Sequence, residues 1–183
     1  LRYHDASWIN IWSATSAYYH ALLGETDKIP EIFSQHRLSA VNMLAPGKPM
    51  MEMIENQVYL AQGAYARVVG YSAELLPVCE AMHYALVALH IRIQTAAAYE
   101  RLGKSEEARA WLRKALSDAE PDGFVMPFVE NYDLLKPLLT REIKNGLIAK
   151  ITELGEAAKA RSAASARPAV FDALTPREFE IVE

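Results

Sequence analysis

The sequence predicts an all-α protein, arranged as an irregular superhelix of stacked helix hairpins. Apolar residues recur at spacings of three and four along most of the 183-residue chain. No stretch alternates strictly between apolar and polar residues, as a half-buried strand would. The composition is 51% hydrophobic with 8 glycines, which is enough apolar surface for a sizeable core.

The clearest predicted hairpin covers residues 90–121. Small Ala96 and Ala108 allow two helices to approach closely, and Tyr99 fills the space between them. Gly103 suits the left-handed turn that ends the first helix. This spacing is close to the tetratricopeptide pattern of paired helices, so the predicted superhelix is tetratricopeptide-like.

Two weaker copies of this hairpin lie upstream, with predicted turns at Gly24 and Gly70. Ala17 and Gly63 take the place of the small residue at each helix crossing. Pro77 falls inside the helix that follows Gly70 and is expected to kink or shorten it. The uneven interval between the turns makes the array irregular.

The C-terminal part of this domain is predicted as a short helix over Tyr132 to Leu139 and a longer amphipathic helix. The apolar stripe of the longer helix consists of Ile143, Leu147, Ile151 and Leu154. Ala, Ser, Lys and Arg then dominate up to Pro168, which is a linker composition. We therefore predict a helical domain over 1–156, a flexible linker over 157–172 and a second unit that begins at 173.

The segment 173–183 has the signals of a helix start. Thr175 suits the N-cap, Pro176 the first helical position and Glu178 the carboxylate of a capping box. The string Leu-Thr-Pro-Arg-Glu-x-Glu resembles the opening of the helix-turn-helix DNA-binding domain of LuxR-type transcription regulators. That resemblance implies a truncated first helix here, with the DNA-reading helices beyond Glu183.

A second resemblance covers Glu107 to Glu130, with its course Ala-Leu-x-x-Ala-x-Pro-Asp-Gly-Phe-x-x-Pro-Phe-Val-Glu. It is similar to the end of the helical repeat region in large LuxR-type regulators related to the maltose-regulon activator. In that family the region is a sensor or assembly module between a nucleotide-binding domain and the DNA reader. This chain carries no Gly-rich phosphate loop, so we assign no ATP site and no cofactor to it.

Charge and composition restrict the expected partners and compartment. The net charge of -4 argues against this segment gripping phosphates itself, so DNA contact is expected only through the missing C-terminal domain. The single Cys79 cannot form an internal disulfide, which fits a cytoplasmic protein. No apolar run approaches the roughly 18 residues of a membrane span, so we expect no membrane partner.

No arrangement of residues predicts an enzyme or a metal site. The five histidines form no metalloprotease-like pair, and His83 with Cys79 is interpreted as two half-buried residues on one helix. The serines lack a nucleophile elbow. We therefore predict no catalytic residue, no metal and no cofactor.

A concave groove is the preferred candidate site, since the first helix of each hairpin lines that face in stacked repeats. The repeat register places on it Tyr18, Gln57, Leu60, Arg67, His90, Ile93, Glu100 and Arg101. If the groove is a sensor site, Arg67, His90 and Arg101 should converge there and suit an anionic or polyhydroxylated ligand. The alternative is an ordinary solvated surface with a local ion pair.

The aromatic residues near the N-terminus have two interpretations. Trp8, Trp12, Tyr18 and Tyr19 are predicted to pack in the core and the first helix, and a sugar-binding platform is the alternative if half of them are exposed.

Two functional hypotheses follow. The first is the signal-sensing or oligomerisation segment of a cytoplasmic LuxR-type transcription regulator, with a small-molecule or protein effector or a second copy as partner. The second is a tetratricopeptide-like adaptor whose groove binds a protein segment. The sequence after Glu183 discriminates between them.

Overall fold

The structure, a computed structural model, describes residues 2–38 and 45–165. This part of the chain is all α, as predicted, and no strand occurs in it. Its helices are α1 (Arg2–Leu23), α2 (Glu31–Ser34), α3 (Lys48–Ala61), α4 (Tyr65–Ala81), α5 (Ala85–Arg101), α6 (Ser105–Ala119), α7 (Met126–Glu130), α8 (Tyr132–Leu139) and α9 (Gly146–Ser165). Short 3-10 turns lie at Thr26–Lys28 and Ala45–Gly47.

The turns between α3 and α7 recur at regular positions. Gly63, His83, Gly103 and Gly123 all have positive φ, between 56° and 75°, at intervals of 20 residues from 63 to 83, 83 to 103 and 103 to 123. At each one the backbone amide bonds to the carbonyl three residues earlier, and the next amide bonds to the carbonyl five residues before it. These paired bonds define a Schellman motif, which ends a helix at a left-handed residue.

This regularity corrects the predicted turn at Gly70. Gly70 lies inside α4, and the turn is at Gly63, which was predicted to sit at a helix crossing. The physical reason is that Gly63 adopts a φ of +75°, whereas Gly70 is exposed within a continuous helix. The turns predicted at Gly24 and Gly103 are confirmed, with φ of +73° and +74°.

Two adjoining apolar cores hold the helices together. One contains Phe33, Val58 and Cys79 and joins α1 to α5 through α2, α3 and α4. The other contains Ile93 and Phe128 and joins α3 through α6 to α7, α8 and α9. Helix α5 contributes to both, and its residues 91–98 are all buried. The helices α3 with α4, and α5 with α6, form neighbouring hairpins.

The C-terminal helices agree with the sequence except at two points. Helix α8 has the predicted bounds, but Ile143 lies before α9 and is 90% exposed, so it is not part of the apolar stripe. Helix α9 continues through residues 157–165, where a linker was predicted, because Ala-rich sequence also favours a helix. The rest of that linker and the unit over 173–183 lie outside the described residues.

Pro77 does not shorten helix α4, which continues through it to Ala81. Across the described ranges, no helix combines the length and apolar character needed to cross a membrane.

Candidate functional site

Three polar side chains from distant parts of the sequence meet where α1, α5 and α7 come together. The Tyr18 hydroxyl donates a 2.6 Å hydrogen bond to Oε2 of Glu130, the last residue of α7. The same hydroxyl lies 3.4 Å from Nδ1 of His90, and that nitrogen is 4.0 Å from Glu130 Oε2. Tyr18 therefore joins the first helix to the end of α7.

The geometry fixes how protons are arranged in this trio. Since the Tyr18 proton points to Glu130, Nδ1 of His90 completes the chain by donating to the tyrosine oxygen, and we assign the ring proton to Nδ1 on this basis. Burial lowers the pKa of His90 to about 4, so the ring is neutral at pH 7. Burial, followed by the hydrogen bond to Glu130, raises the pKa of Tyr18 far above its usual value.

A buried amide network continues from this trio into the core. Gln94, one helical turn after His90, donates to the backbone carbonyl of Met53 and to Oε1 of Gln57. Gln57 in turn donates to Oδ1 of Asn131 at 2.9 Å, next to Glu130 in the sequence. Because an unmade hydrogen bond in the core is costly, this network fixes α3, α5 and the α7–α8 junction relative to one another.

Two cavities open beside these groups. One, of about 240 Å³, lies between α1, α3 and α5, with Tyr18, His90 and Glu130 in its lining. The other, of about 600 Å³, lies between the end of α1, α3, α7, α8 and α9, and it includes Gln57, Glu130 and Asn131. Glu130, the residue that joins α1 to α7, lines both cavities.

The smaller cavity has apolar walls and an apolar rim. Its walls include Met53 and Ile54 of α3, and its rim includes Tyr19, Met50 and Leu86, which are 60%, 45% and 46% exposed. Exposed apolar side chains around a concave opening are typical of binding sites. We define the cavity site as this 240 Å³ cavity with its polar trio.

The exposure of α1 corrects the predicted packing of the N-terminal aromatic residues. Trp12 is 76% exposed and Tyr19 is 60% exposed, so neither is a core residue. Tyr18 is half-buried, and its ring meets that of His90 edge to face with centroids 6.2 Å apart. The side chain of Trp8 lies outside the described residues.

The other residues predicted for the groove have different surroundings. Arg67 lies on α4, the second helix of its hairpin, because the turn is at Gly63; its guanidinium carbon is 5.7 Å from the centre of the Tyr59 ring. Glu100 forms an ion pair with Arg141, with 3.1 Å between Oε1 and Nη1. Arg101 is exposed at the end of α5. Leu60 and Ile93 are core residues. Of the predicted set, Tyr18 and His90 line the smaller cavity, and Gln57 and Leu60 line the larger one.

A third cavity, of about 500 Å³, lies where α4, α5 and α6 meet. Arg92 in its lining is 8% exposed and pairs with both Glu80 and Asp118. This arrangement favours a structural role, because the cation is already enclosed by two carboxylates. We therefore prefer the cavity site, where no lysine or arginine of the described residues pairs with Glu130.

The histidine and cysteine positions offer no metal site in the part of the chain that the structure describes, where no group of three or more His, Cys, Asp or Glu side chains is placed to hold an ion. Cys79 is fully buried, and burial raises the pKa of its thiol. His83 is exposed in the left-handed turn, so the prediction of a half-buried pair is wrong for both residues.

Sequence reasoning missed Glu130, Asn131 and Gln94. Gln94 had a local signal, since an amide one helical turn after His90 in an otherwise apolar stretch predicts a buried polar contact. Glu130 had none, because its partner Tyr18 is 112 positions away.

No family model, curated protein or solved structure matches the chain.

Proposed function

We propose that this chain is the signal-sensing segment of a LuxR-type transcription regulator, in which effector binding at the cavity site alters a DNA-binding domain that begins at 173–183. The resemblances of Leu174–Glu183 and Glu107–Glu130 support the regulator. The Tyr18–Glu130 hydrogen bond supports the sensing role, and it is the observation that carries the proposal.

The reason is the position of this bond in the chain. Glu130 ends α7, and α7 packs on α9, the last helix that the structure describes. An effector that bonds to Glu130 is expected to change how α1 is held to α7, and α7 packs against α9 in one core. Such a link between a ligand and a packed element is what an allosteric response requires.

The test uses the full-length gene product and a random library of duplex DNA. We expect the full-length protein to select specific duplexes. Residues 1–183 alone are expected to select none, because a net charge of -4 disfavours contact with phosphates.

The Tyr18→Phe variant of the full-length protein then tests the link. Loss of the hydroxyl should change the affinity for the selected duplex about fivefold or more, the lower range of allosteric coupling. Tyr99→Phe is the matched control, since its ring packs against the core away from both cavities and its loss of a hydroxyl should leave the affinity unchanged. Equal affinities for wild type and Tyr18→Phe would contradict the sensing role.

The second candidate is a tetratricopeptide-like adaptor for a protein partner. The apolar surface of α1 favours it, because Ile11, Trp12 and Leu23 are 52%, 76% and 66% exposed. A coding sequence that stops soon after Glu183, or a full-length product that selects no duplex, would support the adaptor over the regulator.

A further inference from the structure

The charge of the cavity site differs from the one that the sequence predicted. Among the described residues that line it, Glu130 is the acid and there is no lysine or arginine. Arg67, which was expected nearby, lies over Tyr59, and Arg101 does not line the cavity. The basic groups needed for an anionic ligand are therefore missing from the described lining.

The neighbouring histidine does not neutralise this carboxylate. Burial lowers the pKa of His90 to about 4, so its ring is uncharged at neutral pH. The Tyr18 hydroxyl occupies Oε2 of Glu130, while Oε1 makes no hydrogen bond to any described residue. The side chain of Glu130 is 29% exposed, so this oxygen belongs to a carboxylate that a ligand can reach.

The walls of the cavity suit a ligand that has an apolar part next to a positive charge. Met50, Met53 and Leu86 supply thioether and alkyl surface, and the rings of Tyr18 and Tyr19 supply two aromatic groups. Aromatic rings attract cations through their negative faces, and methionine side chains adapt to ligands of irregular shape. At about 240 Å³ the cavity is below the range of roughly 300–1,000 Å³ typical of drug-sized ligands, so the ligand is small.

We propose that the cavity site binds a small organic monoamine cation, with its ammonium group on Glu130 and its apolar part against Met50, Met53 and Leu86. This inference deepens the sensing role proposed above by naming the class of effector. An ammonium group donates the hydrogen bonds that Oε1 of Glu130 lacks, and a charge-assisted hydrogen bond of this kind is stronger than a neutral one.

The test compares three probes of the same chain length: hexylammonium, hexanol and hexanoate. Binding to residues 1–183 is measured by isothermal titration calorimetry at pH 7 and low salt. We expect hexylammonium to bind about tenfold or more tightly than hexanol, because it adds a charged hydrogen bond. Hexanoate should show no binding, since its carboxylate is repelled by the carboxylate of Glu130. Equal affinity for hexanoate and hexylammonium, or no binding of hexylammonium, would overturn the proposal.

Glu130→Gln identifies the group that selects the charge. Glutamine keeps an acceptor for the Tyr18 hydroxyl, so we expect the fold to survive and the preference for hexylammonium over hexanol to disappear. Glu153→Gln removes the same charge from an exposed position on α9 that does not line the cavity, and should bind like wild type. A Glu130→Gln protein that keeps the preference would place the cation elsewhere.

Leu86→Lys provides a second variant with little risk to folding, since Leu86 is 46% exposed. Its ammonium group at the rim should repel the probe and weaken hexylammonium binding about tenfold, and unchanged binding would count against this site. None of these measurements involves DNA. Failure of cation binding with DNA selection intact refutes the ligand class alone, whereas cation binding by a protein that selects no duplex refutes the regulator alone.

Discussion

His90 shows how burial sets the acid stability of this protein. Its pKa is lowered to about 4, while an unfolded histidine titrates near 6.5. Between these pH values the unfolded chain binds more protons than the folded one, so stability falls as the pH drops from 6.5 towards 4. The full shift corresponds to an upper limit of about 3 kcal/mol.

We expect His90→Gln to lose a large part of the difference in unfolding free energy between pH 7 and pH 4.5, measured by urea denaturation. Glutamine cannot acquire the proton that drives the effect. His83→Asn, at an exposed left-handed position, is the control and should keep the pH dependence of the wild type. An equally steep dependence in His90→Gln would show that other groups cause the acid response.

Substitution of Gly103 and substitution of Gly70 should change the stability of the fold in opposite directions. Gly103 has a φ of +74°, so Gly103→Val forces a β-branched residue into the left-handed region and should destabilise the fold by about 1–2 kcal/mol. Gly70 lies inside α4 with nothing near its added Cβ, so Gly70→Ala should stabilise by about 0.5–1 kcal/mol. Thermal melting checks both, and shifts of the same sign would mean that the turn has been assigned to the wrong glycine.

The histidine at position 83 explains why the regular 20-residue interval between turns was not predicted from the sequence. Three of the four turns carry glycine, but the turn at 83 carries histidine in the same left-handed conformation, and only a few per cent of non-glycine residues adopt it. Local chemistry therefore predicted Gly24 and Gly103 correctly, whereas Gly70 was chosen over Gly63 because both lie in helix-forming sequence. The site was only partly predicted, since Tyr18 and His90 fit the repeat register but Glu130 reaches them through tertiary packing.

At the level of helices, the contact between α8 and α9 depends on the absence of a side chain. A Cβ on Gly155 would lie directly against the ring of Tyr132, which is 4% exposed. Gly155→Ala should therefore destabilise by about 1–3 kcal/mol in spite of alanine's better helix propensity, because the two helices must move apart.

Melting of the Gly155→Ala protein tests this contact, with Gly146→Ala as control at the open start of α9. In a Tyr132→Leu background the same substitution should cost less, since the clashing ring is gone, and a double-mutant cycle measures the difference. Equal costs in both backgrounds would show that Tyr132 is not the obstacle. The sequence predicted the bounds of α8, but no local pattern indicates which glycine meets an aromatic ring.

At the scale of the whole molecule, the all-α class was predictable because helix periodicity is a local property of the sequence. How the hairpins meet was not, since it depends on pairs such as Gln57 with Asn131, which lie 74 positions apart. The same difference between composition and tertiary packing applies to charge. The net charge of -4 is a property of composition, whereas the acidic character of the cavity site arises from where Glu130 is placed.

The hydrogen bond between Tyr18 and Glu130 also bears on the order in which the chain folds. The hairpins of α3 with α4 and α5 with α6 close over short loops, while this bond closes a loop of 112 residues. Closing a long loop costs more chain entropy than closing a short one, so contacts far apart in sequence form late. The contact between Tyr18 and Glu130 is therefore expected to form after the hairpins have closed. A molecule that binds at this seam would then act on a contact that the chain makes late in folding.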